Sequence, residues 1–403
     1  MRVLTFTTVF PNPLQPEHGI FVLERIRHCA EFANIRVVAP RPFYPWPAMS
    51  AVPRRETRAG IAVEHPTFRY VPRFAKWSDG VALFLSSVGV VASLMREAPF
   101  DVIDAHFGYP EGFAAVLLGR RFRRPVVITL RGNEPLLAAD PGRRRALRYA
   151  LRNATRIIAV SEPLAQFARE ALADLPGPVP PVTVIANGVD ATRFAPEPRE
   201  EARRVLGLPD AGRLLVSVGH LSPRKGFHRV LRVLPDLLRD APDLTFAIVG
   251  GRGAEANNER ELHRLAADPA LAGRVIFAGA QRPERVRTWL SAADLFVLAS
   301  DFEGCPNVVW EALACGRPVV AAKVGEVERM VPTYAGELFD DADDLPALRA
   351  ALAAGLAGKY DANAIRGWAE RHGWGGVAMK VVEEWRAAVQ ASAPAVAQRE
   401  YAA

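Results

Sequence analysis

The chain reads as an α/β protein with two doubly wound, Rossmann-like domains, and three observations lead there. Short Val- and Ile-rich runs alternate with longer amphipathic stretches. The runs fall into two series, and a polar, proline-bearing segment separates the series. Near-continuous apolar strands with helical stretches between them are what parallel sheets covered on both faces require. At 403 residues there is chain enough for two hydrophobic cores.

The first series comprises RVLTFTT (2–8), IRVVAP (35–40), DVIDAH (101–106), PVVITL (125–130), RIIAVS (156–161) and VTVIA (182–186). A proline-rich loop, DLPGPVPP (174–181), leads into its last member. The second series comprises RLLVSVG (213–219), LTFAIVG (244–250), RVIFAG (274–279), DLFVLA (294–299) and PVVAA (318–322). Composition shifts after Val189, at DATRFAPEPREEARR, which predicts a first domain over 1–189 and a second over 190–374. Residues 375–403 are expected to form a C-terminal helix packing back on the first domain, with the last twelve or so fraying as a tail. Open α/β sheets bind ligands outside the carboxyl ends of their strands, so the expected site is a cleft between the two domains.

Half the residues are hydrophobic and 24% are charged, the balance of a soluble globular protein. Cys29, Cys305 and Cys315 are odd in number, too scattered for a disulfide framework, and lack the paired spacing of a zinc site. A reducing cytoplasm fits them, and neither metal nor cofactor is expected. The opening MRVLTFTTVFP enters a strand pattern without the ordered regions of a secretion signal. The longest apolar run, Val81 to Met95, contains three serines and falls short of the ~20 residues that span a bilayer. It is read as a buried helix, with an interfacial helix as the second reading. Residues 1–185 carry 24 basic against 15 acidic residues and the remainder 27 against 29, so the net charge of +7 resides in the first half. RRFRR (120–124) and RRRALR (143–148) are its densest runs. Phospholipid headgroups, a lipid-diphosphate acceptor or nucleic acid would each suit such a surface, as would a plain solvated face in an Arg-rich chain. No nucleic-acid motif accompanies the charge, so a nucleic-acid partner is not expected.

Chemistry concentrates in the segment Asp301–Val320, DFEGCPNVVWEALACGRPVV, directly after the strand DLFVLAS. Gly304 permits close backbone approach, Pro306 suits a first helical turn, and 308–314 has helical periodicity. The helix start would present free N–H groups to a phosphate. Glu303 and Glu311, eight apart, can accept from hydroxyls at different points of one extended ligand. A second segment, SVGHLSPRKGFH (217–228), follows the strand RLLVSVG and sets Arg224 and Lys225 at a turn before a helix over 227–238. Two cations there could neutralise a diphosphate leaving group. In the first half, Gly19 follows a proline-rich loop and opens a helix. His106 ends a strand, and Arg131, Asn133 and Glu134 follow another, where they could meet an acceptor or a sugar.

The Asp301–Val320 segment resembles the E-x7-E signature of the large family 4 of retaining glycosyltransferases, approximately E-G-x-P-N-x-x-x-E-A-x-A-x-G-x-P-V. SVGHLSPRKGFH is similar to that family's G-R-L-x-x-x-K-G motif, with His220 where the family often has Arg. The resemblance implies a GT-B fold, a nucleotide-sugar donor held by the second domain and an acceptor held by the first. It implies that Glu303 meets the sugar hydroxyls and Glu311 the ribose. Gly219 and the backbone of Gly304, Cys305, Pro306, Asn307 and Val308 would lie along the diphosphate, with Gly19 approaching from the first domain. It puts His106 against the donor sugar and implies a front-face reaction in which the leaving phosphate takes the acceptor proton. The loop VGEVERMV (324–331) departs from the family's pattern and is assigned no contact. UDP is favoured over GDP, with a glycan or lipid-linked acceptor in polysaccharide or cell-envelope assembly. A nucleotide-sugar epimerase and a sugar phosphorylase share the architecture and are the alternatives. A basic nucleic-acid-binding protein ranks below both.

Overall fold

The computed structural model describes residues 1–43, 52–70, 75–253 and 257–392, and these divide into two compact units. One unit holds Met1–Asn187 together with the chain from Trp374 onward; the other holds Gly188–Gly373. The crossings fall at 187/188 and 373/374, against boundaries of 189/190 and 374/375 read from composition. The tail expected to fray lies, from residue 393, outside the described residues.

The first unit is built on a sheet of eight strands among the described residues, in the order Val182–Val184, Arg156–Ala159, Val126–Leu130, Val102–His106, Arg2–Phe6, Asn34–Val38, Ile61–Glu64, Arg55–Arg58. All neighbours are parallel except the last pair, a hairpin turning at Ala59 and Gly60, both with positive φ. The chain builds outward from Arg2–Phe6 in one direction, then returns to its other side with Val102–His106. That reversal is a topological switch point, and the crevice beyond it is where open α/β sheets take ligands. The loops there are Thr7–Gly19 and Phe107–Gly112.

The second unit has six parallel strands among the described residues, in the order Val275–Gly279, Thr245–Val249, Leu214–Val218, Leu295–Leu298, Val319–Ala322, Gly336–Phe339. Its switch point lies between Leu214–Val218 and Leu295–Leu298, so the loops beginning at Gly219 and Ala299 flank the crevice. Both segments singled out from the sequence start there. Gly336–Phe339 was not anticipated, nor was the Arg55–Glu64 hairpin.

The strands are apolar on both faces because helices cover both. Val3, Val37, Val127, Ile158, Val22 and Ile26 form one core of the first unit with Val381, Val382 and Trp385 of the helix Trp374–Ser392. That helix therefore belongs to the first unit, packed on Ile20–Cys29. The apolar run Val81–Met95 lies within a 19-residue helix, Asp79–Glu97, longer than the run itself. Gly80, Leu83, Ser87, Val91 and Leu94 are its buried residues, while Val81 and Leu85 are exposed.

Candidate active site

At the switch point of the second unit the strand Leu214–Val218 passes through Gly219 into a 3-10 turn, Pro223–Lys225, and then the helix Phe227–Asp240. Gly226 makes the joint. Its φ is +69°, and a Cβ there would stand 1.8 Å from the Ala299 carbonyl oxygen, so only glycine lets the two loops close on each other. The Asp301 N–H donates to the Arg224 carbonyl at 3.0 Å, tying the loops together. The Lys225 Nζ then reaches Glu303 Oε1 at 2.6 Å. The Arg224 guanidinium lies 3.3 Å from Glu303 Oε2 and donates to the Phe302 carbonyl at 2.9 Å. Burial alone would raise the Glu303 pKa, but Lys225 and Arg224 outweigh it and hold the carboxyl below its ordinary range. Three residues expected from sequence to act together are thus joined directly.

The helix carrying the second glutamate is Asn307–Ala314, with Pro306 as its N-cap. Glu311 sits about one turn into it. Its carboxylate is partly exposed and has no hydrogen-bond or ion-pair partner among the described residues. Burial pushes it up to about 7, with only Arg193 opposing. Gly304 offers backbone to the site, and its carbonyl accepts from the Glu326 N–H at 3.0 Å. The loop 324–331, unassigned from sequence, is therefore packed directly against the backbone of the glutamate loop. The Cys305 side chain is buried against Met330 (Sγ–Sδ 3.9 Å), which leaves its backbone as what it can contribute. His220 is exposed beside Gly253.

In the first unit, Gly19 caps the helix Ile20–Cys29 with φ +74°, and a Cβ would come 2.4 Å from the Val9 carbonyl oxygen. The loop before it is thereby folded tightly over the switch point. His106 ends the strand Val102–His106 with its ring fully buried. Its Nε2 pairs with Asp104 Oδ2 at 2.9 Å, and its Nδ1 accepts from Arg131, 2.7 Å from Nη2. That arrangement assigns the proton to Nε2. Burial pushes the His106 pKa down to about 4, so the ring is neutral. Arg131 goes on to donate to Asn187 Oδ1 at 2.8 Å, and Asp104 accepts from the Trp385 indole at 3.2 Å. The strand-end histidine is thus the centre of a buried network, Trp385–Asp104–His106–Arg131–Asn187, and its ring faces Asp104 and Arg131 instead of a crevice.

Glu134 is also fully buried. It accepts from the backbone N–H groups of Gly108 (3.2 Å), Arg131 (3.1 Å) and Gly132 (2.8 Å), and so pins two strand-end loops together. Of the three residues set apart for an acceptor, only Asn133 has an exposed side chain.

Sequence reasoning missed Glu111. The Pro-Glu-Gly it belongs to reads as a turn, and the available signal was its place in a strand-end loop. Buried in the switch-point loop, it accepts from the Thr8 N–H at 3.3 Å and from the Thr8 hydroxyl. Burial is the main cause that pushes it up to about 7, with Glu134 adding to the rise. A carboxyl raised in the folded state stabilises fully below its unfolded pKa, and that stability is lost as pH rises through the folded value. Glu111→Gln is therefore expected to gain on wild type by roughly 2 kcal/mol between pH 5 and pH 8, read from denaturant unfolding at each pH. A constant difference across that range would mean that Glu111 ionises normally.

With this geometry in view, the comparisons with known proteins are specific. Residues 198–365 match the model for glycosyl transferases group 1, and residues 19–193 match that for glycosyltransferase family 4. Among curated relatives, the putative teichuronic acid biosynthesis glycosyltransferase TuaC of Bacillus subtilis is 32% identical over 344 residues, covering 82% of this chain and 83% of that one. The GDP-mannose-dependent alpha-(1-6)-phosphatidylinositol monomannoside mannosyltransferase of Mycolicibacterium smegmatis is 30% identical, covering 84% and 85%. Among solved structures, sucrose-phosphate synthase from Thermosynechococcus elongatus aligns over 97% of this chain and 100% of its own, with TM-score 0.76 and 20% identity. Anabaena HepE in complex with UDP aligns over 96% and 100%, with TM-score 0.72 and 21% identity. The architecture is that of the GT-B glycosyltransferases, and the chain belongs to glycosyltransferase family 4.

Proposed function

We propose that this glycosyltransferase moves a hexosyl group, with retention, from a nucleotide diphosphate sugar to a glycan or lipid-linked acceptor in polysaccharide or cell-envelope assembly. The observation that carries the reading is the Arg224–Lys225–Glu303 cluster beside the start of the helix Asn307–Ala314. In the free protein Glu303 bridges the two cations and offsets one of their two charges. An arriving diphosphate offers them a second anion, and Glu303 is then released to accept from sugar hydroxyls. The first-turn N–H groups at Asn307 and Val308 add the partial positive charge of a helix start. Glycosyl transfer passes through an oxocarbenium-like state, so stabilising the departing diphosphate is the main electrostatic task. The leaving phosphate then takes the acceptor proton. The second unit serves as the donor domain and the first as the acceptor domain, with Asn133 its exposed candidate contact.

UDP is the favoured nucleotide. That preference is supported by the UDP and UDP-glucose complexes of HepE, while the GDP-mannose-dependent relative keeps GDP in the test. The polysaccharide setting is supported by the name of the teichuronic acid relative. A lipid-linked acceptor would hold a cytoplasmic enzyme at the inner face of the plasma membrane as a peripheral protein.

Thermal unfolding with UDP, GDP, ADP and their sugars tests the donor. One nucleotide at 100 times its dissociation constant is expected to stabilise by ~2.7 kcal/mol. Glu311→Gln is expected to lose most of that. Because the Glu311 carboxyl is raised to about 7 and a ribose hydroxyl needs it ionised, wild-type stabilisation should strengthen from pH 6 to pH 8. No response to any nucleotide would overturn the reading. Because Arg224 and Lys225 already supply positive charge at the diphosphate, turnover is expected to survive a chelator. Activity abolished by EDTA and restored by a divalent cation would show otherwise.

A further inference from the structure

We infer that one face of the first unit is a docking surface for an anionic lipid bilayer, in which an apolar stripe on one helix enters the headgroup layer between two sets of arginines. The inference rests on the proposed function only in giving the enzyme a reason to be at a membrane; the surface itself is read from exposure and charge.

The stripe lies on and just before the helix Asp79–Glu97. Trp77, Val81 and Leu85 are spaced four apart, which stacks them on one side, and they are 60%, 41% and 65% exposed. Gly89 continues the line, also exposed. The segment Lys76–Glu97 is long and apolar enough to cross a membrane by length and composition, yet only 28% of its apolar window is buried within the protein. A soluble core helix hides its apolar surface; this one hides one face and leaves the other to solvent. Its first-turn acid, Asp79, is paired with Lys76 at 3.2 Å.

Arginines flank the stripe on both sides. The helix Pro141–Arg152 carries Arg143, Arg144, Arg145, Arg148 and Arg152 without an acidic residue. It touches the stripe directly, since a Cβ on Gly142 would stand 2.9 Å from Trp77 Cβ. Arg148 is paired with Asp174, and Arg152 with the Pro176 and Pro178 carbonyls. Arg144 and Arg145 are exposed, and their side chains have no hydrogen bond or ion pair among the described residues. All four line a recess of about 460 Å³. On the far side, a groove of about 930 Å³ runs between Leu85, Gly89 and Val90 of the stripe helix and Arg54, Arg55 and Arg69. Arg55 is engaged by Glu64 and Glu97, while Arg54 and Arg69 remain exposed.

Apolar side chains and a tryptophan flanked by cations, with Asp79 and Asp174 paired to Lys76 and Arg148 and Asp140 capping its own helix, match the layering of a bilayer surface: acyl boundary in the centre, phosphates around it. A soluble protein partner would need acids to meet the arginines together with an apolar patch of the same width. Anionic lipid supplies both from one surface.

The test is co-sedimentation of the full chain with vesicles of phosphatidylcholine, with and without phosphatidylglycerol. Wild type is compared with Arg144→Ala/Arg145→Ala and Trp77→Ser/Leu85→Ser. Binding is expected only with phosphatidylglycerol, and should fall away near ~1 M salt, where the Debye length is about 3 Å. Each arginine lost should weaken binding about fivefold, hence roughly 25-fold for the pair. The apolar variant should lose more than about tenfold. Nucleotide stabilisation should stay unchanged in both, which shows them folded. Wild type that ignores the vesicles while binding nucleotide overturns the surface and leaves the transferase reading standing. Vesicle binding without nucleotide binding does the reverse. Equal vesicle binding by all three proteins overturns the assignment, as does a concentration-dependent dimer that the apolar variant abolishes, which would make the face a contact between copies.

Discussion

Replacing Lys225 by Ala is expected to lower kcat/KM by about 10²–10³, the cost typical of removing one preorganised donor from a developing negative charge, or ~3–4 kcal/mol. Lys225 is 14% exposed at its side chain and touches Glu303 at 2.6 Å, so it acts where water screens it little. Its removal also leaves Glu303 buried with Arg224 as its remaining cation. Donor binding should weaken less than turnover, because the diphosphate gains charge as the glycosidic bond breaks. Steady-state kinetics across donor concentrations separates the two. A rise in KM with kcat unchanged would show Lys225 contributing equally to ground and transition states, and would remove it from the leaving-group role. Lys225→Arg should recover part of the rate, since the charge returns in a different shape.

The second large effect is on stability. Asp104→Ala should cost about 3–5 kcal/mol in denaturant unfolding, the penalty for leaving buried charges and donors without their partner. Asp104 is fully buried and meets His106 at 2.9 Å and the Trp385 indole at 3.2 Å. Burial works against its ionisation, and His106, Arg25 and Trp385 outweigh it, so its carboxyl stays below the ordinary range. Trp385 belongs to the helix that returns to the first unit, so losing Asp104 removes a buried polar anchor of that helix. Asp104→Asn keeps the shape and an acceptor and should cost less. If both variants unfold like wild type, the network is incidental and His106 is free to take another role.

The strands and their two series were legible because each is an apolar run bounded by turn residues, and periodicity survives without tertiary knowledge. The Arg55–Glu64 hairpin was not, because its turn sets Ala59 at φ +48°, where a sequence offers no Asn-Gly or Asp-Gly signal. In the donor unit, the motif residues met as expected: Lys225 and Glu303 are 78 residues apart in the chain, and both follow switch-point strands. In the first unit, position along a strand did not give direction. His106 was placed against a ligand from its strand end, but which way its ring faces depends on Arg131 and, through Asp104, on Trp385, 281 residues farther along from Asp104. Glu134 was equally opaque, since three backbone N–H groups converge on it only after Gly108 has been folded alongside. Burial of a polar strand-end residue is decided by distant elements, and no local pattern records it.

The proposed function requires that the switch point of the second unit bind a nucleotide through its diphosphate. Calorimetric titration of nucleoside diphosphates against the corresponding monophosphates tests it most directly. A diphosphate is expected to bind at least about tenfold more tightly than its monophosphate, a gap of ~1.4 kcal/mol, and Lys225→Ala should close most of that gap. Equal affinity for both, or a preference untouched by Lys225→Ala, would contradict it.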